Sequence, residues 1–288
     1  MSSEKGNKMT SDGALAPAQD GTVSGLGPLP FDTSKAHQAR MYDYLLGGKD
    51  NYAADRTATE EALKIWPDMA FAARANRAFL GRAVRYLTAE AGIRQFLDIG
   101  TGIPAAGSTH QVAQAIAPET RVVYVDYDPV VLAHARALLD STEAGINGYI
   151  DADLRDTGTI LDQTAKLLDL TRPTAIILAA ILHVIPEADD PYAVVARLLD
   201  AVPPGSYLAI SHLGADLLGQ GQQDALTSLA DRMIQQVPVP RTRDQVTSFF
   251  KGTELAEPGL VPAEQWRPDP GTGDAGSSSL WSAVARKH

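Results

Sequence analysis

The spacing of apolar residues changes character twice along the chain. Up to about residue 30, Ser, Gly, Ala and Pro dominate and no apolar period is sustained. Such a composition buries too little apolar surface to offset the entropy of ordering, so residues 1–30 are expected to form a disordered tail. From about Ser34 the period becomes helical. Two helical stretches are expected before the first strand, together a helical cap over residues 31–92. In the second, Phe71, Ala75, Phe79, Ala83 and Leu87 recur at helical spacing, with Arg74, Arg77, Gly81 and Arg85 on another face. That pattern predicts an amphipathic helix with a basic stripe.

From Arg94 the chain alternates short apolar runs with helical stretches, the pattern of a mostly parallel sheet with helices on both faces. Residues 95–99, 122–125, 148–151, 174–178 and 207–211 are the predicted strands of an α/β core spanning 93–288. After the second strand, Asp128 can cap free amides and Pro129 suits a first helical position. Pro203-Pro204-Gly205 predicts a turn before the fifth strand. A helix follows over 221–237, with Leu226, Leu229, Met233 and Val237 on one face. Thr242 and Gln245 have the spacing of a capping box, and Gly252 can end the short helix they start. The last two apolar runs, 254–257 and 280–285, are joined by a Pro/Gly/Ser-rich stretch with no room for a covering helix, so they are expected to pair antiparallel.

Composition narrows the function classes. Across 288 residues, 35 acidic side chains outnumber 25 basic ones, a field that repels phosphate backbones, so nucleic acid is not an expected partner. Cysteine is absent, which removes disulfides, thiolate metal sites and a cysteine nucleophile. No run of about 20 apolar residues spans a bilayer and no signal-peptide core begins the chain, so a cytoplasmic protein with no membrane partner is expected.

The chemistry concentrates in Phe96-Leu97-Asp98-Ile99-Gly100-Thr101-Gly102, an apolar strand running into a glycine turn. Two residues without side chains let the backbone bend sharply and approach a ligand closely. Asp126 ends the next strand, where an acid accepts hydrogen bonds from ribose hydroxyls. Together they predict a nucleoside site. The third glycine of a dinucleotide fingerprint is missing: its position holds Ala105, after Pro104, and Gly107 is out of register. A pyrophosphate cradle is therefore less well supported than a ligand without phosphates, such as S-adenosylmethionine.

These segments resemble the class I methyltransferases. Asp98-Ile-Gly100-Thr-Gly102 is similar to their first motif, Val-Asp126-Tyr-Asp128-Pro to their second, and Asp151-Ala-Asp153-Leu-Arg-Asp to their third. Tyr42-Asp-Tyr-Leu-Leu-Gly-Gly-Lys-Asp-Asn-Tyr, Arg74-Ala-Asn-Arg-Ala-Phe-Leu and Pro203-Pro-Gly-Ser-Tyr-Leu resemble an actinobacterial family of S-adenosyl methyltransferases whose substrate is not established. The resemblance implies a Rossmann-like, seven-stranded, mostly parallel sheet closed by an antiparallel C-terminal hairpin. It also implies S-adenosylmethionine as cofactor, leaving as S-adenosylhomocysteine. The glycine turn, with Asp98, Gly100, Thr101 and Gly102, would hold the methionine part and Asp126 the ribose, beside Tyr127. Asp153 would meet the adenine amino group with Leu154 against the ring, and Ala179 would lie at the end of the fourth strand. Asp151 is the alternative to Asp153.

Other positions have two readings each. His183, beyond the fourth strand, can take a proton from an acceptor hydroxyl as a neutral imidazole, or hydrogen-bond a backbone carbonyl. His212 is similarly placed at the end of the fifth strand, and neither has the company of a metal site. Tyr42, Tyr44, Gly47, Gly48 and Asn51 form either a lid over the sulfonium, whose charge favours aromatic faces, or a surface loop. Arg74 and its neighbour Arg77 can bind the cofactor carboxylate or stay solvated. After the fourth strand the chain reads Leu178-Ala-Ala-Ile-Leu-His183, not the Asn-Pro-Pro-Tyr of many amide and base methylations. Methyl transfer to an oxygen or nitrogen of a small molecule is the leading expectation. An NAD(P)-dependent oxidoreductase and a non-catalytic regulatory module that binds the cofactor are the alternatives.

Overall fold

The computed structural model describes residues 32–139, 147–234, 236–271 and 276–288, and the predicted tail over residues 1–30 lies outside them. The five apolar runs form the parallel strands β1 (Gln95–Ile99), β2 (Arg121–Asp126), β3 (Asn147–Asp151), β4 (Ala175–Ala179) and β5 (Tyr207–Leu213). They continue into β6 (Thr253–Leu255) and β8 (Leu280–Lys287), which pair antiparallel, as expected of two runs with no covering helix between them. β8 lies between β5 and β6, antiparallel to both. The order is β3-β2-β1-β4-β5-β8-β6, and a two-residue strand, β7 (Val261–Pro262), pairs with β8 as an eighth member. This is the Rossmann-like sheet expected of the resemblance, with one short strand more.

Alternation along the strands separates two cores. Leu97, Ile99, Val123, Val125, Ile176 and Ile210 face one side, packed by Ile160 of α6 (Thr157–Thr164) and Leu198 of α7 (Pro191–Asp200). Phe96, Val122, Tyr124, Ala175, Ile177 and Ala209 face the other, against Phe79, Ala83 and Leu87 of α3 (Met69–Ala89) and the buried Trp266. The apolar stripe read from the sequence is thus the core face of α3. Asp98 and Asp126 share the parity of Phe96 and Tyr124, which points both carboxylates to the α3 side.

Three helices rather than two precede β1: α1 (Gln38–Leu45), α2 (Ala53–Ile65) and α3. The divisions have local causes. Pro67 cannot continue α2. The fully buried Asp55 accepts from the Tyr52 amide at 2.8 Å to start α2, and from the His37 amide at 2.9 Å and Arg40 Nε at 3.1 Å to tie α1 to it. α5 (Pro129–Leu139) starts as predicted, with the Val130 amide donating to Asp128 Oδ1 at 2.7 Å. α8 (Gln220–Met233) stops before Val237, because Ile234 is already extended, with φ −114° and ψ 145°, and bridges Ala36. α9 (Arg243–Thr247) starts at Thr242 with the predicted box: the Thr242 amide donates to Gln245 Oε1 at 2.8 Å.

Candidate active site

Strand order reverses between β1 and β4, and open α/β sheets take ligands in the crevice beyond the carboxyl ends of strands at such a point. A cavity opens there. Gly100, Thr101 and Gly102 after β1, Asp126 and Tyr127 after β2, and Ala179, Ala180 and Ile181 after β4 form its floor, and α1, α3 and α8 form its walls.

The glycine turn carries the backbone demand expected of it. Gly100 and Gly102 have φ of 74° and 64°, in the left-handed region that side chains disfavour. The Gly100 amide donates to the Val125 carbonyl at 2.8 Å, and a Cβ built on Gly100 would stand 2.4 Å from Ile181 Cγ1. Gly100→Ala is therefore expected to cost about 2–4 kcal/mol in urea unfolding, from strain and overlap together. Adding Ile181→Ala should recover part of this loss; a double variant no more stable than Gly100→Ala would remove the overlap as a cause. The helix after the turn, α4 (Thr109–Ile116), begins well beyond Gly102, and the Gly107 amide is already held by Gln111 Oε1 at 2.8 Å. No helix start directly follows the glycines to cradle a pyrophosphate.

Asp126 does more than await a ribose. Its Oδ2 accepts from the Gly102 amide at 2.9 Å, and its Oδ1 from the Tyr127 and Asp128 amides at 2.8 and 3.0 Å. Burial raises its pKa, against the pull of these three donors. A carboxylate has about four lone-pair sites, so Oδ2 keeps room for one hydroxyl donor. Asp98 is buried deeper in the same wall, and burial pushes its pKa up to about 6 despite the 2.6 Å hydrogen bond from Thr109 Oγ1 and the nearby Arg77 charge. Its other oxygen has no partner among the described residues.

Arg77, not Arg74, lines the cavity, donating to the Ala106 carbonyl at 3.2 Å. Arg74, on the same helix, is exposed. Tyr42 also lines the cavity, donating to the Ala73 carbonyl at 2.9 Å while Asn76 Nδ2 donates to its hydroxyl at 3.0 Å. Asn76 Oδ1 in turn accepts from Ser211, whose oxygen accepts from the Ala180 amide at 2.9 Å. This chain of bonds ties α1 and α3 to the end of β4, where Ala180 is held at a φ of 56°.

The remaining lid candidates lie elsewhere. Tyr44 donates to Glu60, and Asn51 Nδ2 donates to Asp43 Oδ2 at 2.8 Å and to the Gly48 carbonyl at 3.1 Å. The Asp50 amide donates to the same Asp43 oxygen, at 2.9 Å. Asp43 thus folds the loop containing Gly47 and Gly48 back on itself, and none of these residues lines the cavity. Neither do Asp153 and Leu154. Asp153 is gripped by Arg155 at 2.6 and 2.8 Å, which lowers its pKa, Leu154 is buried in the core beside α6, and Asp151 is exposed.

His183 lines the cavity next to Ile181. Its ring makes no hydrogen bond among the described residues, and Nδ1 is buried without a partner. Burial, then the Arg241 charge, lowers its pKa to about 4, so the imidazole is neutral. His212 is the structural one of the pair: Nδ1 donates to the Leu213 carbonyl at 2.9 Å, and Nε2 accepts from Arg241 Nη1 at 3.0 Å. The fully buried Arg241 also donates to the Leu182 and Ile185 carbonyls at 3.0 and 2.9 Å, pinning the turn that carries His183 from both sides.

Several lining residues had no signal in the linear pattern. Tyr149 bonds Thr101 Oγ1 at 2.7 Å and stacks on Tyr124 with centroids 5.5 Å apart. His37 meets Asp128 Oδ2 at 2.8 Å through Nδ1, a distance that needs a proton on that nitrogen and leaves the 3.3 Å contact from the Ala39 amide as packing. Burial opposes ionisation of Asp128, but the His37 bond and charge, the Val130 amide and the Arg40 charge together hold the carboxyl below its usual range. Asp128 is therefore a cap, as read, and also a link to α1.

A family profile described as S-adenosyl methyltransferase matches residues 27–288. A DUF574 family protein from Streptomyces avermitilis is 45% identical, with a TM-score of 0.84 over 89% of this chain and 99% of that one. A protein from Thermobifida fusca is 40% identical, with a TM-score of 0.81 over 89% and 96%. At 11% identity and a TM-score of 0.52, covering 86% and 93%, the magnesium protoporphyrin IX methyltransferase of Synechocystis, with bound S-adenosylhomocysteine, shares the fold. No curated protein matches the chain. With the profile spanning the sheet, the glycine turn and the cavity, the chain belongs to the S-adenosyl methyltransferase family and is an S-adenosylmethionine-dependent methyltransferase.

Proposed function

We propose that the chain methylates an oxygen or nitrogen of a small-molecule acceptor bound under α1, α3 and α8. The observation that carries this reading is that the cavity continues from the glycine turn beneath those helices, with the neutral, unpartnered His183 on its wall. The sulfonium cofactor supplies an electrophilic methyl group and a thioether leaving group that needs no proton. The residues present fit it. Asp98 and Arg77 offer opposite charges to an ammonium and a carboxylate, Asp126 keeps a lone pair for a ribose hydroxyl, and the bare Gly100 backbone lets the ligand approach. Ala179 and Ile181 offer apolar surface on the opposite side of the crevice. His183 then accepts the proton that the attacking hydroxyl or amine loses, while the walls hold the acceptor in line and keep water out.

The test is incubation with methyl-labelled S-adenosylmethionine and an extract separated into small-molecule, protein and nucleic-acid fractions. Label is expected in the small-molecule fraction. Label confined to protein or nucleic acid would overturn the reading.

A further inference from the structure

The charged side chains of the cavity are all on one side. Among its described lining residues, Asp98, Asp126 and Arg77 are the acids, lysines and arginines, and all three sit against the glycine turn: two at strand ends beside it and the third bonded to Ala106. The rest of the wall is built differently. Met41 and Leu45 on α1, Trp66 and Met69 around the start of α3, and Leu226 and Leu229 on α8 close it with apolar surface. Three histidines also line it: His183 is neutral, burial lowers the pKa of His110 beside Tyr124, and His37 Nδ1 is bonded to Asp128 Oδ2.

We infer that this chamber takes an uncharged, largely apolar acceptor carrying a hydroxyl or amine that is neutral when bound. The inference rests on the small-molecule methylation proposed above and names the substrate class. Its physical basis is desolvation. A carboxylate, phosphate or ammonium moved into this chamber loses its water and finds no counter-ion, a cost that apolar contact does not offset. An uncharged ring loses little, and the neutral polar groups within reach, Tyr42, Asn76 and Gln223, suffice to orient one hydroxyl or carbonyl. Two methionines in the wall, Met41 and Met69, let it adapt to more than one acceptor shape. The charged end of the cavity is matched instead by the zwitterionic end of the cofactor.

The experiment uses three probes with one ring system: 2-naphthol, 2-naphthoate and 2-naphthylmethylammonium, titrated at neutral pH into protein saturated with S-adenosylhomocysteine. The neutral naphthol is expected to bind at least about tenfold more tightly than either ion. Leu226→Glu places a carboxylate in the wall from a half-buried position. It should weaken naphthol at least about tenfold while S-adenosylhomocysteine binds as before, and Leu226→Met should keep both. An ion binding as tightly as naphthol, no probe binding at all, or Leu226→Glu binding naphthol like the parent would each overturn the inference. Naphthol binding with this pattern, in a protein that puts its label only on macromolecules, would support the chamber and count against the small-molecule reading alone.

Discussion

Asp126→Ala should lower the affinity for S-adenosylhomocysteine by roughly 100-fold, about 3 kcal/mol, when titrated by calorimetry. The size follows from its double role. Loss of the carboxylate removes the acceptor proposed for the ribose and also frees the Gly102 amide, so the glycine turn loses its tie to the end of β2. The Tyr127 and Asp128 amides lose the same acceptor, and a stability loss of roughly 1–3 kcal/mol should accompany the change. Asp126→Asn should rescue little: one amide oxygen replaces two acceptors, and the NH2 group faces an amide donor whichever way it points. An affinity within about twofold of the parent for either variant would remove Asp126 from the site.

His183→Gln should lower kcat by roughly 100-fold or more with S-adenosylhomocysteine affinity unchanged, because the ring sits on the cavity wall and is assigned proton transfer rather than cofactor binding. The pH dependence separates this role from a packing role. With the folded-state pKa depressed from 6.5 to about 4, the parent enzyme keeps a neutral base above that value and loses activity as pH falls through it. A parent profile with an apparent pKa near 6.5, or a variant with parental kcat, would sink the assignment. Stability carries the same sign. Between about pH 4 and 6.5 the unfolded chain binds a proton on this histidine that the folded chain does not, so stability is lost as pH falls through the window, by up to about 3 kcal/mol. Asp98 works oppositely: its pKa rises from 3.8 to about 6, so its contribution is lost as pH rises through that range. His183→Gln removes this histidine's share of the loss, so the variant should lose less stability than the parent between pH 6.5 and 4 in thermal unfolding.

The comparison of Arg74 with Arg77 shows where the linear pattern stopped. Both belong to the basic stripe of α3, and helical period places them close on the helix surface. Which one meets the cavity depends on where the loop after Gly102 passes, since the Ala106 carbonyl takes Arg77. The loop at 47–51 is a similar case. Its glycines and Asn51 read as part of a lid, but Asp43 turns it inward on its own polar groups, and the neighbouring helix α1 lines the cavity through Met41, Tyr42 and Leu45.

From the sequence alone came the strands, the helix starts at Pro129 and Thr242, the glycine turn and the acid that faces it. These are local matters: period sets which side of a strand is buried, a capping side chain bonds an amide two or three residues away, and a bare backbone allows a left-handed bend. The fold alone decided that Asn76 joins Tyr42 to Ser211, that Tyr149 reaches Thr101, and that His183 is neutral while His212 is spoken for. Those pairings join residues far apart in the chain, and their chemistry comes from burial and from partners delivered by other elements, neither of which a linear pattern encodes.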